Sequence, residues 1–367
     1  MGQMERNGMI SSQVIRECIE KLHAITRIEF SVQDTAGAAV AATPGMEPPD
    51  REVVQGFAGS PADSQIMGSR YLLKVMEGET IRFILTAMGG QEHAFMIGKV
   101  AVSELEQLIA AYQERYDRNG FFQDLLLDNL LPVDIHNRAK KLHIGTSAAR
   151  AIILFELPSQ KDLPAAEFLS HLFSSRTGDY LTAIDENRMI LIKSLPEQDP
   201  VPERKKAAET AVDMLNMEAM IRTRAACGSI VHELKDLSRS YKEAVMAMEV
   251  GRIFYPEQRI LTYEELGLGR LIYQLPPTLC RMFIAEIFGS AEPLTLDQEL
   301  LTTIHVFFEN NLNVSETARK LYLHRNTLVY RLEKLQKSTG LDIRKFEDAM
   351  TLQIAMMVSN YLKEQNN

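Results

Sequence analysis

From Leu266 to the C-terminus every apolar pattern has the helical period, and two of the helices it implies are separated by only a short polar break. Thr295–Asn311 carries Leu300, Ile304, Phe307 and Phe308 on one face. Asn313-Val-Ser-Glu316 then reads as a capping box, in which Asn313 accepts from the first free amides of a new helix and Glu316 reaches back. That helix ends near Leu321, with Ala318 small where two helices must approach closely. Tyr322-Leu323-His324 has the length of a turn between crossed helices, and a third helix runs from Arg325 to about Lys337 with Leu328, Leu332 and Leu335 facing inward. Gly340 closes the unit. Two short helices at a tight turn constrain the fold to a helix-turn-helix, whose second helix leaves one polar face uncovered.

That polar face carries function. Its first turn offers His324, Arg325, Asn326 and Thr327, and Tyr330, Arg331 and Lys334 continue along it. A recognition helix enters the major groove by its N-terminal end, so base-reading groups belong there. Arg325 can donate a bidentate pair to guanine and Asn326 can pair with adenine. Thr327 and the helix amides suit a phosphate, while Tyr330, Arg331 and Lys334 suit flanking phosphates that fix register. Charge agrees locally. The 367-residue chain is −9 overall, yet Leu312–Phe346 holds eight basic residues against Glu316, Glu333 and Asp342, a local +5. Salt screens charges beyond about 10 Å, so a basic face on an acidic protein still attracts phosphates.

These residues carry a family resemblance. Leu300-Leu-Thr-Thr-Ile304, Asn311-Leu-Asn-Val-Ser-Glu-Thr-Ala-Arg319, Leu323-His-Arg-Asn-Thr-Leu-Val-Tyr-Arg-Leu332 and Ser338-Thr-Gly-Leu-Asp342 resemble the C-terminal domain of the PucR/CdaR regulators of purine catabolism and sugar-diacid utilisation. The resemblance implies DNA binding through His324, Arg325, Asn326, Thr327 and Arg331, and leans toward activation of transcription. Phe307-Phe308 stands where the family commonly has Tyr-Leu, which implies a packing change only.

Length alone implies two or three domains. The expected class is α+β multidomain: a PAS/GAF-like sensor over 1–99, a linking helix and connector over 100–145, a ferredoxin-like, cyclase-like (degenerate GGDEF) domain over 146–265, and an all-α helix-turn-helix domain over 266–367. In the first, Ser11–Ile25 reads as a helix and Arg27–Gln33 and Ala38–Thr43 as strands about an Asp34-Thr-Ala-Gly37 turn. Tyr71–Met76 and Thr80–Met88 read as a hairpin, and Ala94–Ile97 as a further strand. Between about Val100 and Leu131, Val102, Leu105, Ile109, Tyr112 and Tyr116 have the spacing of a two-helix seam, or of a helix packed on its own domain. Asn119-Gly120 is expected to interrupt it. The middle segment has a β-α-β-β-α-β order running from Ala151–Leu157 to Arg222–Ser229, followed by a helix over Leu234–Gly251 and a strand near Arg259–Thr262.

A nucleotide-cyclase enzyme is the rival reading for the middle domain. Cyclase chemistry needs a glycine-rich hairpin and carboxylates that hold divalent metal against phosphates. The hairpin here is Ala183-Ile-Asp-Glu-Asn-Arg188, without a glycine pair, so Asp185 and Glu186 read as turn residues, and Glu156 is the single acid of the first strand. The chain is therefore expected not to be an enzyme, and no cofactor or metal is expected. Cys18, Cys227 and Cys280 are odd in number and far apart, matching neither a disulfide framework nor a metal site. With no signal peptide and no membrane-spanning run, the expected compartment is the cytoplasm. The expected partners are double-stranded DNA with a palindromic operator, a second copy of the chain, and a small-molecule effector such as a sugar diacid. Recognition of an acid would want cations facing a pocket, which makes Arg27, Arg70, Lys74, Arg82, His93 and Lys99 the candidates. The Phe346–Leu362 helix, with Met350, Ile354, Met357, Val358 and Tyr361, reads as a lid on the DNA-binding core or a dimer surface.

Overall fold

The computed structural model describes residues 10–157, 165–173, 178–185, 187–217, 220–289 and 296–365. Two compact units account for them: residues 1–124 with 137–144, and residues 125–136 with 145–367.

In the first unit α1 (Ser12–Thr26) is capped by the Ser11 hydroxyl, which accepts from Val14 N, and stops where Arg27 turns left-handed. Strands β1 (Glu29–Asp34) and β2 (Ala39–Ala42) form a hairpin about Gly37, whose positive φ and close approach to Arg51 suit a residue without a side chain. Helix α2 (Arg51–Ala58), β3 (Ser64–Met67), β4 (Arg70–Glu77) and β5 (Thr80–Met88) follow. The five strands form one antiparallel sheet in the order β2-β1-β5-β4-β3. Alternation divides the side chains. Phe30, Val32, Leu73, Val75, Leu85 and Ala87 pack with Ile15 and Ile19 of α1, whereas Leu72 and Ile84 pack with Val54 and Phe57 of α2.

The fifth strand of this sheet is Ser64–Met67 and not Ala94–Ile97, which lies inside α3 (Gln91–Leu126). Alternation at 94–97 was misleading because Ala94 and Ala101, with Leu105 and Ile109, form a helical stripe against the sheet. Ser64–Met67 is mostly exposed, with its adjacent apolar pair Ile66 and Met67 also open to solvent, so no apolar alternation announced it. Asn119-Gly120 does not interrupt α3. Leu105 and Ile109, with Val102 and Tyr112 beside them, are spent on the unit's own core, which accounts for much of the predicted seam.

Helix α4 (Pro132–Lys141) leads into the second unit's sheet. Its elements are β6 (Ser147–Glu156), α5 (Ala165–Leu172), β7 (Tyr180–Ala183), β8 (Arg188–Ser194), α6 (Pro200–Met217), β9 (Arg224–Cys227), β10 (Val231–Glu233), α7 (Leu237–Phe254) and β11 (Ile260–Thr262). The order β11-β9-β6-β8-β7 contains the ferredoxin-like arrangement, with β10 added beside β6. Ile153, Phe155 and Leu191 pack on α5 and α6, and α7 covers the opposite face. Buried Arg204 of α6 donates to Gly228 O (2.6 Å) and pairs with Glu264 (3.0 Å), which ties α6 to the loop after β11.

The remaining helices are α8 (Gly267–Tyr273), α9 (Pro277–Phe288), α10 (Gln298–Glu309), α11 (Val314–Lys320), α12 (Arg325–Thr339) and α13 (Phe346–Gln365). Helix α13 serves two cores. Ala349 and Leu352 complete the α10–α12 cluster, while Ala355, Val358, Tyr361 and Leu362 pack on Ile272, Cys280 and Ile284. Of the face expected from sequence, Val358 and Tyr361 are buried and Ile354 and Met357 pack half-buried beside them, whereas Met350 is exposed and Ala349 is buried in its place. Small Ala349 and Ala355 are what a large-residue pattern overlooks. Among the described residues no helix is long and apolar enough to cross a membrane.

Candidate nucleic-acid interface

Helix α10 begins at Asp297, whose carboxylate accepts from Leu300 N at 2.8 Å. Asn313 caps α11 by accepting from Ser315 N and Glu316 N at 3.0 and 3.2 Å. The other half of the expected box is different, because Glu316 turns to Arg319. Between α11 and α12, Leu323 N returns to Ala318 O at 2.8 Å, and Tyr322 takes the left-handed conformation at φ 55. Leu328, Leu332 and Leu335 pack against Leu300, Ile304, Phe307 and Ala318.

The inward leucines fix which side of α12 remains open. His324 is the N-cap, its Nδ1 accepting from Asn326 N at 3.2 Å, which leaves Nε2 as the outward nitrogen of the ring. His324, Arg325, Asn326, Thr327 and Tyr330 are all exposed. Arg325 makes no ion pair among the described residues. The first turn of α12 thus presents a guanidinium, a carboxamide, a hydroxyl and an imidazole around a positive helix terminus.

Arg331 and Lys334 lie differently. Arg331 is 18% exposed, donates to Thr303 Oγ1 (3.2 Å), and pairs with Glu299. Lys334 Nζ lies 3.0 Å from Asp297. The Asp297 carboxyl is held below the usual carboxylate range, first by the Leu300 amide and then by Lys334, whose ammonium is pushed up in turn. These two cations further along α12 are therefore tied to the start of α10. Sequence reasoning missed these acids, since nothing in their spacing links them to α12. It also missed Tyr322, which is 96% exposed beside the recognition turn. Its place between two helices was the available signal.

The six cations proposed for an effector do not share a face. Arg27 is exposed at the end of α1, and His93 and Lys99 are exposed on α3, with Lys99 over the Phe95 ring. Arg82 pairs with Glu77 at 3.4 Å. Arg70 and Lys74 stand on the α2 side of β4, where Lys74 donates to Ser60 O at 2.5 Å and lies over Phe57. In the central domain, Glu156 pairs with Arg252 (2.6 Å) and Asp185 accepts from Asn187 N (2.9 Å), while Glu186 lies outside the described residues. Glu156 also borders an open cleft of about 940 Å³, where Arg224 is committed to the Gly251, Tyr255 and Gln258 carbonyls.

Residues 300–358 match the PucR C-terminal helix-turn-helix domain, and residues 128–250 match a GGDEF-like domain. These matches place a PucR-type helix-turn-helix at the C-terminal end and support a regulator similar to those of the PucR/CdaR family. It is 25% identical over 232 residues to the carbohydrate diacid regulator of Escherichia coli, a match covering 60% of each chain. It is 31% identical over 135 residues to the purine catabolism regulatory protein of Bacillus subtilis, covering 36% of this chain and 25% of that one. The match to the DNA-binding transcriptional activator AdeR of Bacillus subtilis is 21% identical, over 79% of this chain and 69% of the relative. The chain thus spans less than two thirds of the length of the first two relatives. In this family frame, the helix-turn-helix match includes α12 with all seven residues assigned to DNA.

Proposed function

We propose that this chain is a cytoplasmic, sequence-specific DNA-binding transcription regulator that acts as a homodimer on a palindromic operator. The observation that carries it is the open first turn of α12, where His324, Arg325, Asn326 and Thr327 are exposed around the helix N-terminus. Arg325 and Asn326 read bases, Thr327 and Tyr330 hold phosphates, and Arg331 and Lys334 join them by exchanging acid partners for phosphate. One such helix reads too few base pairs to be selective, and two related by a two-fold axis match a palindrome.

The N-terminal unit is the receiver in this reading. Its strand order 2-1-5-4-3, with one short helix covering a face and a long helix leaving the last strand, supports a PAS/GAF-like sensor. A small metabolite stabilises one of two states of this unit, and differential affinity for those states shifts the dimer on or off its site. The names of the relatives, which include regulators of carbohydrate diacid and purine use and a transcriptional activator, support a metabolite-responsive activator. Pairing of Glu156 with Arg252 speaks against a catalytic role for the GGDEF-like domain, which we assign to packing and signal relay.

The test is a salt titration of binding to DNA upstream of the chain's own gene, comparing wild type with Arg325→Ala. Loss of a bidentate base contact costs roughly 1–3 kcal/mol on the specific site and less on random DNA. Equal binding by the two proteins on both DNAs removes Arg325 as a reader.

A further inference from the structure

We infer that Tyr322, at the turn between α11 and α12, donates its phenol hydroxyl to a phosphate of bound DNA, with Lys320 beside it, and that a strained backbone is kept there for that contact. This deepens, and rests on, the reading of α12 as a recognition helix.

The strain is visible in how α11 ends. Tyr322 N donates to Arg319 O (3.1 Å) and Leu323 N donates to Ala318 O (2.8 Å), the paired closure of a Schellman motif. Tyr322 holds the left-handed place in that closure, at φ 55. Glycine is the usual residue there, because a Cβ crowds the neighbouring carbonyl, and the chain does use it where α9 and α12 end, at Gly289 and Gly340. Among the described non-glycine residues of the C-terminal domain, Asn311 and Leu312 also have positive φ. Asn tolerates that conformation, and Leu312 packs its side chain into the α10–α12 core. Tyr322 has neither property.

Its side chain meets almost nothing in the chain. Tyr322 is 96% exposed, and its hydroxyl has no hydrogen-bond partner among the described residues. The ring therefore adds no packing that would offset the strain, and its use lies with a partner. Position names that partner. Tyr322 stands just before the His324 cap and the Arg325 that opens α12. Three residues span at most about 10 Å, and the major groove is about 12 Å wide. With Arg325 at a base edge, the turn thus lies within reach of the phosphates that line the groove.

Chemistry narrows the contact to the DNA backbone. A phenol hydroxyl is a good donor to a phosphate oxygen. Lys320, the last residue of α11, is exposed and makes no ion pair among the described residues, unlike its neighbour Arg319, which is held by Glu316. Lys320 supplies the charge that draws a phosphate to this turn. The base-reading groups belong to the first turn of α12 itself, whereas Tyr322 precedes the cap, so its contact fixes register and carries no sequence preference. Arg331 lies about two turns past the cap, roughly 10 Å along the helix. The turn therefore adds a phosphate contact at a separate point of the backbone from the one assigned to Arg331.

The experiment uses the full chain, thermal melting, and a salt titration of binding to DNA upstream of its own gene and to random DNA of equal length. Tyr322→Gly should melt about 1–3 °C above wild type, because the strain is gone, yet bind both DNAs about tenfold more weakly per protomer. Tyr322→Phe keeps the ring and the backbone, so its melting temperature should equal that of wild type while both affinities fall about fivefold per protomer. Lys320→Gln should make the dependence of log K on log salt shallower by about 0.9 per protomer, and neither Tyr322 variant should change that slope. The proposal is overturned if either Tyr322 variant binds as wild type does, or if Tyr322→Gly melts below wild type. It is equally overturned if the Tyr322 variants lose affinity on the upstream DNA alone, which is base reading, or if Lys320→Gln leaves the slope unchanged. Arg325→Ala measured beside them separates the two readings. Its selective loss on the upstream DNA, with wild-type binding by both Tyr322 variants, keeps the recognition helix and removes the Tyr322 contact. Wild type that binds neither DNA removes the recognition helix and the phosphate contact with it.

Discussion

Replacing His324 separates a structural role from a reading role at the same residue. Its Nδ1 accepts from Asn326 N at 3.2 Å, on the exposed first turn of a 15-residue helix. Removing an N-cap acceptor typically costs about 0.5–2 kcal/mol, and a long, solvent-exposed bond belongs at the lower end. His324→Ala should therefore cost about 0.5–1 kcal/mol, and at roughly 2–4 °C per kcal/mol in a unit of this size the melting temperature falls by about 1–4 °C. His324→Asn keeps an acceptor in the same place, and Asn is among the best capping residues, so its stability should equal that of wild type or exceed it by a few tenths. Neither variant retains the outward Nε2. If that nitrogen donates to DNA, both lose about 1 kcal/mol, roughly fivefold, on the specific site.

The assay pairs thermal unfolding with binding to operator and random DNA at one salt concentration. His324→Asn melting as low as His324→Ala, or His324→Ala melting like wild type, refutes the cap as the source of stability. Full operator affinity in His324→Asn refutes the reading role and leaves the cap.

Three further outcomes follow from the packing. A Cβ at Gly228 would lie 1.9 Å from Ser240 O, a backbone atom that cannot step aside, so Gly228→Ala should cost about 4 kcal/mol or more by urea unfolding; wild-type stability would contradict the close approach. Burial pushes the Cys227 thiol up to about 12, so iodoacetamide should label it only on unfolding, and rapid labelling of the native protein, read by mass spectrometry, would contradict its enclosure. Asp342 is held below the usual carboxylate range by Arg344, so its contribution to stability is present above about pH 3.9 and lost as pH falls through the lower folded value. Asp342→Asn should flatten the acid limb of the stability curve, and an unchanged limb removes that assignment.

What was legible in the sequence tracks how strongly burial imprints a period. The α10–α12 core repeats Leu, Ile and Phe at helical spacing, and its helices lie close to where that spacing put them. The central order was readable because β6 contains the unbroken apolar run Ala151–Phe155 and the hairpin between β7 and β8 is short. Strand β3 escaped notice because an exposed edge strand needs no apolar alternation, and β10 because three residues hold no period. For α3 the period was real and its partner was not legible, since Leu105 and Ile109 would show the same spacing against a second copy or against their own sheet.

The basic face shows the same limit in a form that salt can measure. Eight cations between Leu312 and Phe346 suggest a strong phosphate surface. Four of them are held in ion pairs: Arg319 with Glu316, Arg344 with Asp342, Arg331 with Glu299 and Lys334 with Asp297. The last two acids lie outside the counted window, so the surface offered to DNA is less positive than the local +5. Each phosphate neutralised steepens the dependence of log K on log salt by about 0.9. If the Arg331–Glu299 pair persists on DNA, Glu299→Gln frees a guanidinium and the slope should steepen by about 0.9 per protomer, with tighter binding at low salt. If Arg331 already trades its partner for a phosphate in the complex, the slope should not change, and binding should tighten because the exchange no longer breaks an ion pair. A Glu299→Gln protein that matches wild type in both slope and affinity shows that Arg331 only braces α12 on α10, and removes it from the phosphate contacts.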